Sequence, residues 1–251
     1  MRPTVLRPAT ILWAGLLVLT LTLPARAFNS YPIGSFHDRI TTEAAAPAGF
    51  SRAALRALQK AVRAPDWDET RKWYPLRPNG NYRPEHHFDR PRDLSSPEAF
   101  VRGAAYAREQ LASAVELARA DDPAGAIAAL GRALHAAQDL SSHSNLIRLP
   151  APERQACEAA FWSGASPPAT LTLTGYDATA KDPESPPGDD YPHARYAKDS
   201  PRKNDEASTE LDGGRTAFEL AYADAVTRSR TVFDRFLEAV PEAARPELGI
   251  R

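Results

Sequence analysis

PAGAIAALGRALHAAQDLSSHSN, residues 123–145, is the stretch that decides how this chain is read. Asp122-Pro123 is a helix-start signal: a capping carboxylate, then a proline in the first turn. The Ala- and Leu-rich run that follows predicts a helix from Pro123 to about Ser141. His135, Asp139 and His143 then fall at i, i+4 and i+8. Steps of four drift by only about 40° each, so three ligand-type side chains share one face. Ile127 and Leu134 flank that stripe and turn it toward a packed interior. Ala128 and Gly131 precede it on the same face and are small enough to leave room for a metal. Imidazole and carboxylate are costly to bury unpaired, and both suit Zn2+.

Working outward, the periodicity stays helical. Ser51 to Ala64 has a capping serine and apolar residues at three- and four-residue spacing. Ser96-Pro97-Glu98 opens a helix that runs to about Ala120. Further helices are predicted over Pro152 to Trp162 and about Gly214 to Val240. The last carries Phe218, Leu220, Ala221, Ala225, Val232, Phe233 and Phe236 on one broad face. Leu171 to Thr174 is the only strand-like run, too short for a sheet. Residues 66–95 and 163–213 are rich in Pro, Gly, Asp and Asn and are predicted to be long loops. Loops of that length in a compact domain are commonly functional, and both contain His. The expectation is an all-α, compact multi-helix domain over residues 28–251.

Bulk properties narrow the function classes. The 251 residues carry 31 basic and 32 acidic side chains, leaving no electrostatic footprint for general nucleic-acid binding. The first 27 residues read as a cleavable export signal: Arg2 and Arg7, an apolar run from Ile11 to Leu23, then Ala25-Arg26-Ala27. That run is short for a membrane span of about 20 residues. An exported protein, periplasmic or secreted, with Phe28 as its first mature residue is expected. The single cysteine, Cys157, allows no internal disulfide and sits in a helical pattern, where burial is expected.

The chain has six histidines. Beyond His135 and His143, His86 and His87 stand beside Asp89. His37 precedes Asp38 and Ile40-Thr41-Thr42, and His193 lies in a loop rich in Pro and Asp. Asp66 and Asp68, after Pro65, are candidate carboxylate ligands. Placement of scarce His beside Asp reads as a metal site.

In this order the motifs resemble the zinc-dependent phospholipase C superfamily. It includes phosphatidylcholine-hydrolysing bacterial phospholipases, clostridial alpha-toxin and the single-strand-specific zinc nucleases. The His135-x3-Asp139-x3-His143-Ser144-Asn145 run is most similar to its heterokaryon-incompatibility and glycosylphosphatidylinositol-phospholipase D branch. His87-Phe88-Asp89, Pro65-Asp66, His37 with Ile40-Thr41, and His193 resemble its remaining motifs, from Phe28 to about Asp199.

The resemblance implies up to three zinc ions. Asp66, His87, His135 and Asp139 would serve a pair, with Asp139 bridging. His143 and His193 would hold another ion. His37 and the amine and carbonyl of Phe28 would complete the third site. The toxin-type enzymes carry a Glu four residues after the last His. Here that position is Ala197, with Asp199 or Glu219 as candidate replacements.

The implied activity is phospholipase C-type hydrolysis of a phospholipid or other phosphodiester, with Asp66 taking or orienting the water proton. The implied setting is a monomer with transient membrane contact and no stable nucleic-acid partner. Two alternatives stand beside it. One is a single-strand nuclease that stacks bases on Tyr74, Tyr82, Phe88 or Trp162. The other is a non-catalytic, zinc-stabilised secreted interaction protein.

Overall fold

The computed structural model describes residues 35–69, 82–180 and 182–251. Its centre is the helix quoted above. Helix α5, Pro123–Ser142, buries fifteen of its twenty residues. A helix apolar nearly all round belongs in an interior, and the Ala-rich sequence lets neighbours approach from several sides. Those neighbours are α1 (Phe36–Ala45), α2 (Arg52–Glu69), α3 (Pro84–His87), α4 (Ser96–Arg119) and α9 (Ala217–Ala239). Helix α6 (Ala151–Ser163) packs on α4, while α7 (His193–Tyr196) and α8 (Asp205–Ser208) are single turns in the long second loop. The domain is all-α; among the described residues the only β pairing is isolated bridges, such as Ser144 with Leu173.

Helix starts follow their caps. Asp122 accepts from Gly125 N at 2.9 Å, as its Asp-Pro signal predicts. For α4 the cap is Ser95, one residue before the expected Ser96, because Ser95 and Glu98 form a reciprocal capping box. Thr216 and Glu219 do the same for α9, which therefore starts later than Gly214.

Three expectations change. Helix α2 does not stop at Ala64 but runs through Pro65 to Glu69. An internal proline forfeits one helix hydrogen bond, yet the extension carries Pro65 and Asp66 into the interior. A helix not among the expected ones carries His37, since Ile40, Ala44 and Ala45 give α1 a buried face. Gly131 makes room for a helix, not for a metal. A Cβ there would meet Ala61 Cβ at 2.3 Å and Val62 N at 2.9 Å. Its bareness is what lets α2 and α5 touch, and so brings Asp66 close to His135. Cys157 is fully buried, and burial pushes its thiol up to about 11.

Candidate metal centre

Two neighbouring clusters gather at the C-terminal end of α5. The first is built mainly on helices of ten residues or more. Helix α1 supplies His37, α2 Asp66, α5 His135 and Asp139, and α3 His87, all at most 2 % exposed. Asp139 is the hub. Its Oδ1 lies 3.3 Å from His37 Nε2, and its Oδ2 lies 3.1 Å from His135 Nε2 and 3.3 Å from His87 Nδ1. Asp66 stands further back, at 3.8 Å from His37 and His87 and 3.9 Å from His135.

The second cluster is built on turns and irregular chain. His143 caps α5, His193 opens α7, Asp89 follows α3, and Asp199 lies beyond α7. His143 Nε2 is 3.1 Å from both His193 Nε2 and Asp199 Oδ1. Asp89 Oδ1 is 3.3 Å from His143 Nδ1. Tyr82 donates to Asp89, as does Thr174 at 2.7 Å. Lys203 Nζ holds the other oxygen of Asp199 at 2.8 Å.

Outer partners fix which ring nitrogen faces inward. His37 Nδ1 donates to Gln138 Oε1 at 2.6 Å, and Gln138 Nε2 is anchored on Thr41 and Ser229 at 3.1 Å each. His143 Nδ1 donates to the carbonyl of His87 at 2.7 Å. His87 Nε2 is 3.2 Å from Glu69 Oε2, and Glu69 also pairs with His86 at 2.5 Å. Such outer partners orient imidazoles that ligate metals. The inward nitrogens then converge: His87 Nδ1 and His135 Nε2 stand 3.0 Å apart.

This donor set fits a cation. His87 Nδ1 and His135 Nε2, 3.0 Å apart, either share a proton or turn their lone pairs on one cation. Asp139 Oδ1 is buried and accepts no hydrogen bond among the described residues. Ligand-type atoms come within 4.8 Å of one another in three groups: His37, His135 and Asp139; Asp66, His87 and His135; Asp89, His143 and His193. These buried groups can hold metal ions.

The titration behaviour agrees. Burial alone would lower the His87 imidazole, but hydrogen bonds with Asp139 and Glu69 push it up to about 10. Burial likewise works against charging His143, and Asp89 and Asp199 overcome it. Burial would raise Asp139, yet His135 and His37 hold its carboxyl well below the usual range. Without metal, protons supply the positive charge these carboxylates demand. His37 goes the other way, lowered by burial and by neighbouring His135.

Of the expected ligands, His37, Asp66, His87, His135, Asp139, His143 and His193 come together; Phe28 lies outside the described residues. Asp68 is exposed and is not part of the site. Glu219 is not the missing carboxylate, because it caps α9 through Thr216 N at 2.8 Å. Asp199 is the carboxylate that stands beside His143, at 3.1 Å. Asp89 joins the second cluster, a role its position beside His87 signalled only weakly. Glu69 carries no sequence signal, since it becomes visible only once α2 continues past Pro65.

Of the aromatics proposed for base stacking, Phe88 and Trp162 are engaged elsewhere, while Tyr82 packs against the clusters themselves. Phe88 is core, Trp162 lies under Arg235 at 4.0 Å, and Tyr82 stacks on His87 and Tyr176. Tyr74 lies outside the described residues.

No family model, curated protein or solved structure matches this chain. The meaning of the site therefore rests on its own chemistry.

Proposed function

We propose that the chain is an exported zinc-dependent phosphodiesterase of phospholipase C type. One observation carries this reading: two adjoining buried clusters of imidazoles and carboxylates, joined through His87–Asp89 and Asp139–His143. A single structural zinc is satisfied by four ligands; this arrangement offers about twice that. Borderline-soft zinc suits imidazole with carboxylate. Bound there, zinc supplies an acidified water and charge stabilisation on phosphoryl oxygens.

The chain's own residues divide the remaining work. Asp139 neutralises and spaces His37, His87 and His135. Glu69, Gln138 and the His87 carbonyl hold the outward ring nitrogens, so the inward ones stay aimed at the centre. Asp66 faces three imidazoles at 3.8–3.9 Å, just outside direct contact. It is the carboxylate best placed to take or orient a water proton. Asp199 supports catalytic competence over a purely structural zinc, because it restores a carboxylate beside His143 that Ala197 lacks.

The test is metal content and turnover of the protein starting at Phe28, beside His135→Ala. About three zinc ions per chain, fewer in the variant, with hydrolysis of phosphatidylcholine, are expected. Cleavage of single-stranded DNA in preference would establish the nuclease alternative. One tightly held zinc and no turnover of any phosphodiester would overturn the enzymatic reading.

A further inference from the structure

Helix α2 has a second face that the metal site does not use. Successive helical positions turn by about 100°, so Arg52, Arg56, Lys60, Arg63 and Trp67 fall within an arc of about 80°. Arg52, Arg56 and Lys60 are exposed. Arg63 is 41 % exposed at its side chain and meets Asp38 of α1 at 3.2 Å. Trp67, at 38 %, is the only exposed large hydrophobic side chain among the described residues. No acidic residue of α2 shares this arc. In a chain with 31 basic and 32 acidic residues, four cations in register are a local concentration that the overall charge conceals.

The flank of the same helix is apolar. Ala53, Ala57, Ala61 and Ala64 line a shallow open cavity of about 590 Å3 with Ala124 and Ile127 of α5. Cations, an alanine ledge and one terminal tryptophan form an amphipathic surface of the kind that lies in a membrane interface. Trp favours the headgroup level, and clustered Lys and Arg are drawn to anionic lipids.

We propose that this stripe of α2 docks the protein on an anionic phospholipid bilayer. The stripe ends at the partly exposed Trp67, the residue after the buried Asp66. Docking would bring the bilayer to the end of α2 that carries Asp66 into the first cluster. That docking feeds the centre rests on the phospholipase reading above; docking itself does not.

The experiment is vesicle sedimentation with the full chain from Phe28. One set of vesicles is phosphatidylcholine alone; the other contains about one-third phosphatidylserine. Binding to the anionic set at about 0.1 M salt, released by raising salt several-fold, is expected. Arg52→Ala/Arg56→Ala/Lys60→Ala together should weaken it by about thirtyfold or more, and Trp67→Ala by less. The triple variant should hydrolyse a soluble short-chain phosphodiester like the parent while losing activity on anionic vesicles. Equal binding to both vesicle sets, or unchanged binding by the triple variant, overturns the proposal. So does stripe-dependent binding of single-stranded DNA without vesicle binding. Stripe-dependent vesicle binding with no turnover of any phosphodiester upholds docking and overturns only the catalytic reading.

Discussion

The cluster around Asp139 and the cluster around His143 use the same residue types on different supports. Four of the five residues in the cluster around Asp139 stand on α1, α2 and α5, helices locked by side chains such as Ile40, Leu58, Leu130 and Leu134, all fully buried, and only His87 stands on the single turn α3. His143, His193, Asp89 and Asp199 stand on a helix cap, a single turn and irregular chain. Packing positions the first set. Hydrogen bonds position the second: Lys203 and Ser142 on Asp199, and Tyr82 and Thr174 on Asp89. A centre held by core packing keeps its geometry empty or full; one held by hydrogen bonds on loops depends on every partner.

The strongest way to break the comparison is to remove one carboxylate from each cluster. Asp139→Asn should leave helicity unchanged and abolish turnover. It should cost the first cluster more than the ten- to hundredfold in metal affinity that loss of an outer partner costs. Asp199→Asn should lower metal content at the second cluster while the first stays loaded. Metal analysis beside circular dichroism decides this. If both variants kept full stoichiometry, neither carboxylate would be a ligand.

Glu69→Gln tests the outer partners. Gln keeps the shape but loses the charge shared by His86 and His87, and a ten- to hundredfold loss of zinc affinity is expected. Competition with a chelating dye measures it, and unchanged affinity would assign Glu69 to surface pairing with His86 alone.

The smallest effect is on stability against pH in chelator-treated protein. His87 is raised to about 10. Its contribution is therefore complete below about pH 6.5, the ordinary histidine value, and fades as pH climbs through 10. Glu69 is held down to about 2. Its contribution is complete above about pH 4.5 and is lost as pH falls toward 2. Metal-free protein should thus lose stability from neutral to alkaline pH. Zinc should bind more tightly over that same span, because ligands must shed their protons. Urea titrations with and without zinc, at several pH values, show whether the two trends diverge.

The parts of both clusters that stand on α5 and its cap were the most legible. His135 and Asp139 of the first and His143 of the second declare themselves through helical spacing, and the Asp122-Pro123 signal fixes where their helix begins. Asp89 and Asp199 have no periodicity to betray them. What brings Asp199 to His143 is the long-range hydrogen bond from Ser142 Oγ at 2.8 Å, while Lys203, four residues further on, holds its other oxygen. The end of α2 was misread because a proline rule is local, whereas the burial of Pro65 and Asp66 is tertiary. Helix α1 was missed because Ile40-Thr41-Thr42 reads as β-branched chain until its packing on α9 is known. Zinc itself, and its number, remain the proposal that the donor chemistry supports.

One backbone angle ties the two clusters together. Phe88 adopts φ 53°, left-handed for a bulky residue, at a cost of about 1–2 kcal/mol. Its ring is fully buried between Phe100 and Phe161 and presses on Gly103, where a Cβ would sit 3.0 Å away. This reversal sends His87 to one cluster and Asp89 to the other, while the His87 carbonyl steadies His143. Phe88 is thus a bracket bolted into the hydrophobic wall, with a tool mounted on either arm. Its tolerance is common to both arms, so play at the bolt would put both centres out of true together.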